Sequence, residues 1–235
     1  MPFALRRPRA AIEPVAVAWC SLALFAGYAL LTVGLQETSS TAAAFICYLL
    51  VVIVPVLSAV LLRRLPSLPG AGGVVLATAG LFLLAGDGLR LGTGELLVLG
   101  CAVAFAVHIL LLDRFAGDVD VVRLAAFQLV AVGLAALVPA AAGGELSGLS
   151  AGSVAACLFL AAAGVGGLLL QIAGQRSVGP TRTSLLLMLE PVLAAVGGYA
   201  IGERIAPLGF LGAAFILIGI LLAELPLDRS VSHDG

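Results

Sequence analysis

The stretch SLLLMLEPVLAAVGGYAIGERIAP, Ser184 to Pro207, decides how this chain is to be read. From Thr183 to Gly202 it has the length of one membrane crossing, since about 20 apolar residues of helix span a hydrocarbon core roughly 30 Å thick. It shows no period-two alternation, so a helix rather than a strand is expected. Yet it carries Glu190, followed at once by Pro191. An ionised side chain at the centre of a spanning helix costs about 2.5–3.5 kcal/mol on insertion scales, so Glu190 requires a protein-facing or wet environment. Pro191 removes a backbone donor and crowds the carbonyl of Leu187, which loosens the helix at the same level. The segment predicts a spanning helix that enters from the Arg182 side and is loosened near its middle beside a carboxylate.

The rest of the chain shares this character. Of 235 residues, 62% are hydrophobic and 11% charged, against about 25% charged in a soluble domain. Too few polar side chains remain to cover a globular core. The expected class is an all-α polytopic membrane protein whose surroundings are the lipid bilayer. The formal net charge is −1 and all 12 basic residues are arginine, so there is no basic field to hold nucleic acid. Cys20, Cys47, Cys101 and Cys157 sit singly within apolar runs. That spacing suggests neither a disulfide framework nor a zinc site, and the four read as small apolar side chains. No cofactor and no metal is implied. GLSAG, Gly148 to Gly152, fits a nucleophile pattern, but that pattern works only on a strand-to-helix turn with an acid and a histidine to complete it. The only histidines are His108, inside a predicted span, and His233 in the tail. With no phosphate-binding loop either, neither an enzyme nor an ATP-driven pump is expected.

Eight segments read as spans: 14–35, 40–62, 70–86, 94–112, 121–142, 151–174, 183–202 and 207–225, the third being the shortest. The breaks between them hold almost all the charges. The beginning imitates a signal peptide, but its apolar run exceeds the ~7–15 residues of a signal core. Trp19, before Cys20, is too bulky for a lipoprotein-type cleavage site, so a retained helix is expected. With a cytoplasmic N-terminus, only Arg90 and Arg204 fall outside and the other arginines fall inside, as the positive-inside rule requires. Both termini are therefore expected in the cytoplasm, with 226–235 a short tail.

The chain also resembles itself. The segment from Thr41, with YLLVVIVPVLSAV, matches the segment from Thr183, with LLLMLEPVLAAV. Pro55 maps to Pro191, and Gly80 to Gly219. The leading helix of one copy runs outward to inward and that of the other the reverse, so the repeats are inverted, as in many secondary transporters that bind substrate where the halves meet. Residues 14–86 form the first repeat and 93–225 the second. In this register the first repeat is expected to be two helices short. A start further upstream, a shortened member and a reduced form that suffices alone all stay open.

The run LEPVLAAVGGYAIGERIAPLGFLGAAFILIGILLAEL resembles the closing helix pair of the EamA family in the drug/metabolite transporter superfamily. GLQETSSTAAAFICYLLVVIVPVLSAVLLRRLPS resembles the matching piece of its first half, and LLVLGCAVAFAVHILLLDRFA the helix that opens its second half. The resemblance implies a bacterial inner-membrane protein of two inverted five-helix repeats, a secondary transporter that exports or imports small metabolites, amino acids or drugs. A non-transporting truncated subunit or scaffold, and a lipid-carrier flippase, are the alternatives. A homodimer or a partner membrane protein is open.

The candidate substrate-path residues are Glu190, Pro191, His108, Gln128, Gln171, Tyr28 and Tyr48. Glu190 reads either as a transport carboxylate or as a structural hydrogen-bonding group. His108 could gate or bind substrate or sense pH, or make a polar interhelical contact, and Gln128 and Gln171 likewise have a functional and a structural reading. Tyr28 and Tyr48 could line a cavity or merely pack. Gly198 and Gly202 form a small-residue pair suited to close helix packing, and Glu203 and Arg204 read as a helix-end pair.

Overall fold

Prolines, short polar caps and glycines set where each helix begins. The computed structural model describes residues 13–85, 92–117, 119–144, 150–200 and 207–224, and the regular structure among them is entirely helical. Helix α1 (Pro14–Gly34) opens on a proline, where no amide donor is needed. Helix α2 (Ser40–Tyr48) is capped by Ser39, whose hydroxyl accepts from the Ala42 amide, and leads into α3 (Leu50–Leu61) and then α4 (Leu68–Ala85). Helix α5 (Thr93–Phe115) carries Glu95 in its first turn. Its carboxylate accepts from the Gly92 amide at 2.9 Å and from the Thr38 hydroxyl at 2.5 Å, tying the α1–α2 turn to the head of α5. Asp120 caps α6 (Val121–Ala142) and Ser150 caps α7 (Ala151–Leu187) through side-chain oxygens that accept backbone amides. Helices α8 (Leu189–Ala200) and α9 (Pro207–Glu224) follow. The predicted packing pair divides here: Gly198 lies in α8, while Gly202, with Glu203 and Arg204, falls outside the described residues.

Among the described residues, five helical stretches are long and apolar enough to cross a membrane: Pro14–Gly34, Ala42–Leu61, Thr93–Phe115, Val121–Ala142 and Ala151–Ala194. Leu68–Leu84 and Pro207–Ala223 are shorter apolar helices. The predicted sixth and seventh spans run together as one stretch, kinked at Gly179, whose φ of 76° and ψ of 176° lie in a region open essentially to glycine alone.

Two further breaks carry the architecture. The predicted span 40–62 is divided at Leu49, and the predicted span 183–202 at Met188. At each, the amide turns back to a carbonyl three residues earlier, Ile46 and Leu185 respectively, instead of four. The loosening expected around Pro191 is thus a discrete break just ahead of it. Pro191 then stands in the first turn of α8, where a missing N–H costs nothing. Leu49 and Met188 are 139 residues apart, and the same separation relates Gly73 to Gly212 and Gly80 to Gly219.

These glycines make the tightest helix contact. Helices α4 and α9 lie antiparallel, and a Cβ built on Gly73 would sit 2.4 Å from the Gly219 carbonyl oxygen, one on Gly219 2.7 Å from that of Gly73. Gly80 and Gly212 show the same reciprocal relation at 2.5 Å each way. Between the two glycine contacts lie the buried Ala77 and Ile216. Small residues spaced this way let backbones approach where hydrocarbon offers no hydrophobic force to press helices together.

Helix α5 is the common wall of the interior. Val98 packs with Phe45, Val51, Leu81, Leu185, Met188, Val192 and Ile216, a core drawn from α2, α3, α4 and the α7–α9 segment. Further along, Ala106, Ile109 and Leu110 pack on Leu50 and Val54 of the α2–α3 segment. Near its end, Leu112 joins Cys20 and Leu24 of α1, Leu124 and Ala125 of α6, and Leu168 and Ile172 of α7. The first part of α7 has no such setting: every residue from Ala151 to Ala163 is exposed.

Candidate functional site

Glu190 is the second residue of α8, immediately past the Met188 break, at a helix N-terminus whose partial positive charge favours a carboxylate. Its side chain is not buried in protein. Tyr48, at the last position of α2, lies close enough to that carboxylate to feel its charge. Tyr28 of α1 and Cys47 of α2 lie within reach of its charge. Tyr28 is held edge-on against Phe105 of α5, with ring centroids 5.4 Å apart and planes at 79°. Phe105 in turn fills the space that a side chain at Gly27 would take. Cys47 meets Cys101 of α5 with the sulfurs 3.8 Å apart. The α2–α3 break ends α2 at Tyr48, and the α7–α8 break begins α8 beside Glu190, so both interruptions deliver polar atoms to one place. The arrangement offers a carboxylate, two phenols and two thiols on four helices, α1, α2, α5 and α8.

Of the residues predicted from sequence, Glu190, Pro191, Tyr48 and Tyr28 are therefore neighbours. His108 and Gln128 form a separate pair. His108 Nε2 donates to Gln128 Oε1 at 2.7 Å, and Gln128 Nε2 donates to the Leu124 carbonyl at 3.3 Å, all of it buried between α5 and α6. Gln171 is half-buried on α7, one turn before Gln175. Gln175 lies just past the predicted end of its span and was missed from sequence. It is buried, its amide nitrogen donates to the Ile109 carbonyl, and its Oε1 is buried with no hydrogen-bond partner among the described residues. The Cys47–Cys101 contact was missed too. The residues are 54 apart on different helices, and no local spacing signals the meeting.

Described arginines gather at one end of the bundle. Arg64 pairs with Asp113 at 2.8 Å, and Arg176 donates to the Val119 carbonyl. Arg64 and Arg182 line a cavity of about 190 Å³ that also touches Ser58, Gly179 and Thr181. Asp113, Gln175 and Arg176 line a neighbouring one of about 180 Å³. Among the described residues, no group of three or more His, Cys, Asp or Glu side chains could hold a metal ion.

Comparison with known proteins agrees with this all-helical architecture. An uncharacterized transporter of Archaeoglobus fulgidus is 28% identical over 208 residues, covering 87% of this chain and 67% of the relative. The uncharacterized transporter YyaM of Bacillus subtilis is 26% identical over 218 residues, covering 86% and 70%. A chloroplastic WAT1-related protein of Arabidopsis thaliana is 29% identical over 235 residues, covering 89% of this chain and 55% of its own length. A solved crystal structure superposes with a TM-score of 0.76 over 92% of this chain and 80% of the other, at 23% identity, and so shares the fold. The EamA-like transporter family matches residues 1–86 and 92–225, which is nearly the whole chain. With its apolar spanning helices, this multi-pass membrane protein belongs to the EamA-like transporter family.

Proposed function

We propose that the chain is a secondary transporter, an exporter or facilitator, of small organic solutes that carry an amino group, as amino acids and many drugs do. Glu190 is the group that receives that amine. The observation that carries this reading is the position of Glu190 just past a helix break, with Tyr48 and Tyr28 of two other helices within reach of its charge. A carboxylate at membrane depth is expensive unless it does work, and phenol rings beside it suit a cation through their π faces. The test is flux into liposomes holding the purified protein, with a panel of amino acids, nucleosides and cationic drugs. For whichever compound moves, Glu190→Gln removes a charge-assisted interaction of about 1.5–3 kcal/mol, a loss of roughly 10- to 100-fold in apparent affinity. Flux and affinity unchanged in that variant would remove Glu190 from the mechanism.

The same reading takes the protein as eight spans in two inverted repeats, 14–86 and 93–225, in a bacterial inner membrane with both termini cytoplasmic. The constant separation of 139 residues between the two helix breaks, between Gly73 and Gly212 and between Gly80 and Gly219 supports the repeat. The gathering of Arg64, Arg176 and Arg182 at one end supports the orientation. A second reading is a membrane subunit that packs on another polytopic chain or on its own copy. The exposed start of α7, Ala151 to Ala163, favours it.

A further inference from the structure

We infer that Cys47 and Cys101 form a two-thiol site for a soft divalent cation of the mercuric type, bridging α2 to α5 beside the Glu190 carboxylate. Both thiols are free, Cys101 is buried and Cys47 is partly open. Their sulfurs are 3.8 Å apart. With metal–sulfur bonds of about 2.3 Å, a linear sulfur–metal–sulfur unit spans about 4.6 Å, so the helices need only ease slightly apart. A disulfide, by contrast, needs the sulfurs drawn in to about 2.05 Å.

Charge and ligand count select the ion. Each thiol gives up its proton to water on the open side of Cys47, so that two thiols and one M²⁺ yield neutral M(SR)₂ and two H⁺. Nothing charged is then stranded in the hydrocarbon, whereas a monovalent ion would leave an anionic complex, here within reach of the Glu190 charge. Zinc prefers four ligands. No third His, Cys, Asp or Glu joins the pair into a metal-holding group among the described residues. Soft ions that accept two sulfur ligands are what remain. The other two cysteines do not compete as pairs, since Cys20 is buried on α1 and Cys157 is exposed on α7.

The test uses purified, reduced full-length protein, mercuric chloride as the probe and an excess of a monothiol competitor, with the retained ion read by intact mass. One ion per chain is expected to survive the competitor in the wild type and in a Cys20→Ala/Cys157→Ala variant. Losing one thiol of a chelating pair forfeits about 10²- to 10⁴-fold in avidity, so Cys47→Ser and Cys101→Ser should each release the ion. Retention in either single variant, or none in the wild type, overturns the site. Should those variants fail to fold, a short bifunctional thiol reagent on the wild type must link the Cys47 peptide to the Cys101 peptide, and pre-bound mercury must prevent the link. Failure of either also overturns it.

Discussion

Glu190 owes its standing to two residues that flank it. Pro191 is tolerated because it falls in the first turn of α8, and the Met188 break ahead of it sets the carboxylate at a helix N-terminus rather than mid-helix. Tyr48→Phe removes the phenol in range of the carboxylate while keeping the ring. If the hydroxyl contacts bound solute, the change should lower apparent affinity by about 3- to 10-fold, the worth of one hydrogen bond, with the folded yield unchanged; identical flux curves would exclude Tyr48 from the site. His108 and Gln128 call for a different measurement. His108→Leu leaves Gln128 Oε1 buried without a donor and should cost about 1–3 kcal/mol, whereas replacing both partners by leucine should recover most of the loss. Unfolding in detergent checks both, and a single variant as stable as wild type would contradict this account. The glutamate, the histidine and the glutamine could all be singled out from sequence, because polar groups inside apolar runs are conspicuous. Which of them meet could not, because each contact joins helices remote in the chain.

At the scale of elements, α4 and α9 are held by backbone proximity rather than by side-chain volume. The methyl group in Gly80→Ala would stand 2.5 Å from the Gly212 carbonyl oxygen. It should force the helices apart at a cost of about 1–3 kcal/mol. Gly133→Ala on α6, where nothing lies within 4 Å, should have no comparable effect. Equal thermal stability of the two variants would argue against the α4–α9 contact. Gly179→Ala should cost about 1–3 kcal/mol for another reason, its backbone conformation. The expected repeat rests on its prolines and glycines. The breaks at Leu49 and Met188 could not be read from sequence, since neither residue has a conformational signature. Each lies a few residues before a proline of the following helix, Pro55 and Pro191.

For the whole molecule, the topology makes a direct prediction. Cysteines introduced at Gln36 and Arg123, both exposed, should react with an impermeant maleimide from opposite sides of sealed membranes, Arg123→Cys from the cytoplasm. Labelling of both from one side would overturn the span order. Cys157, exposed on α7, distinguishes the two functional readings. Ready reaction with a lipid-soluble thiol reagent in liposomes is expected if α7 faces lipid, and protection is expected if a partner chain covers it.

The sequence alone determined the solvent, the class of structure and the family. Hydropathy, helix length and arginine placement are sums over many residues, and the Leu-Glu-Pro and Gly-Glu-Arg signatures are local. Only the tertiary structure decided that Glu190, Tyr48, Tyr28 and the Cys47–Cys101 pair are neighbours and that His108 belongs elsewhere with Gln128. In hydrocarbon every helix satisfies its own backbone, so the apolar helical runs are legible, though not where they break or join. Their mutual arrangement rests on a few glycine contacts and polar pairings between segments far apart in the chain.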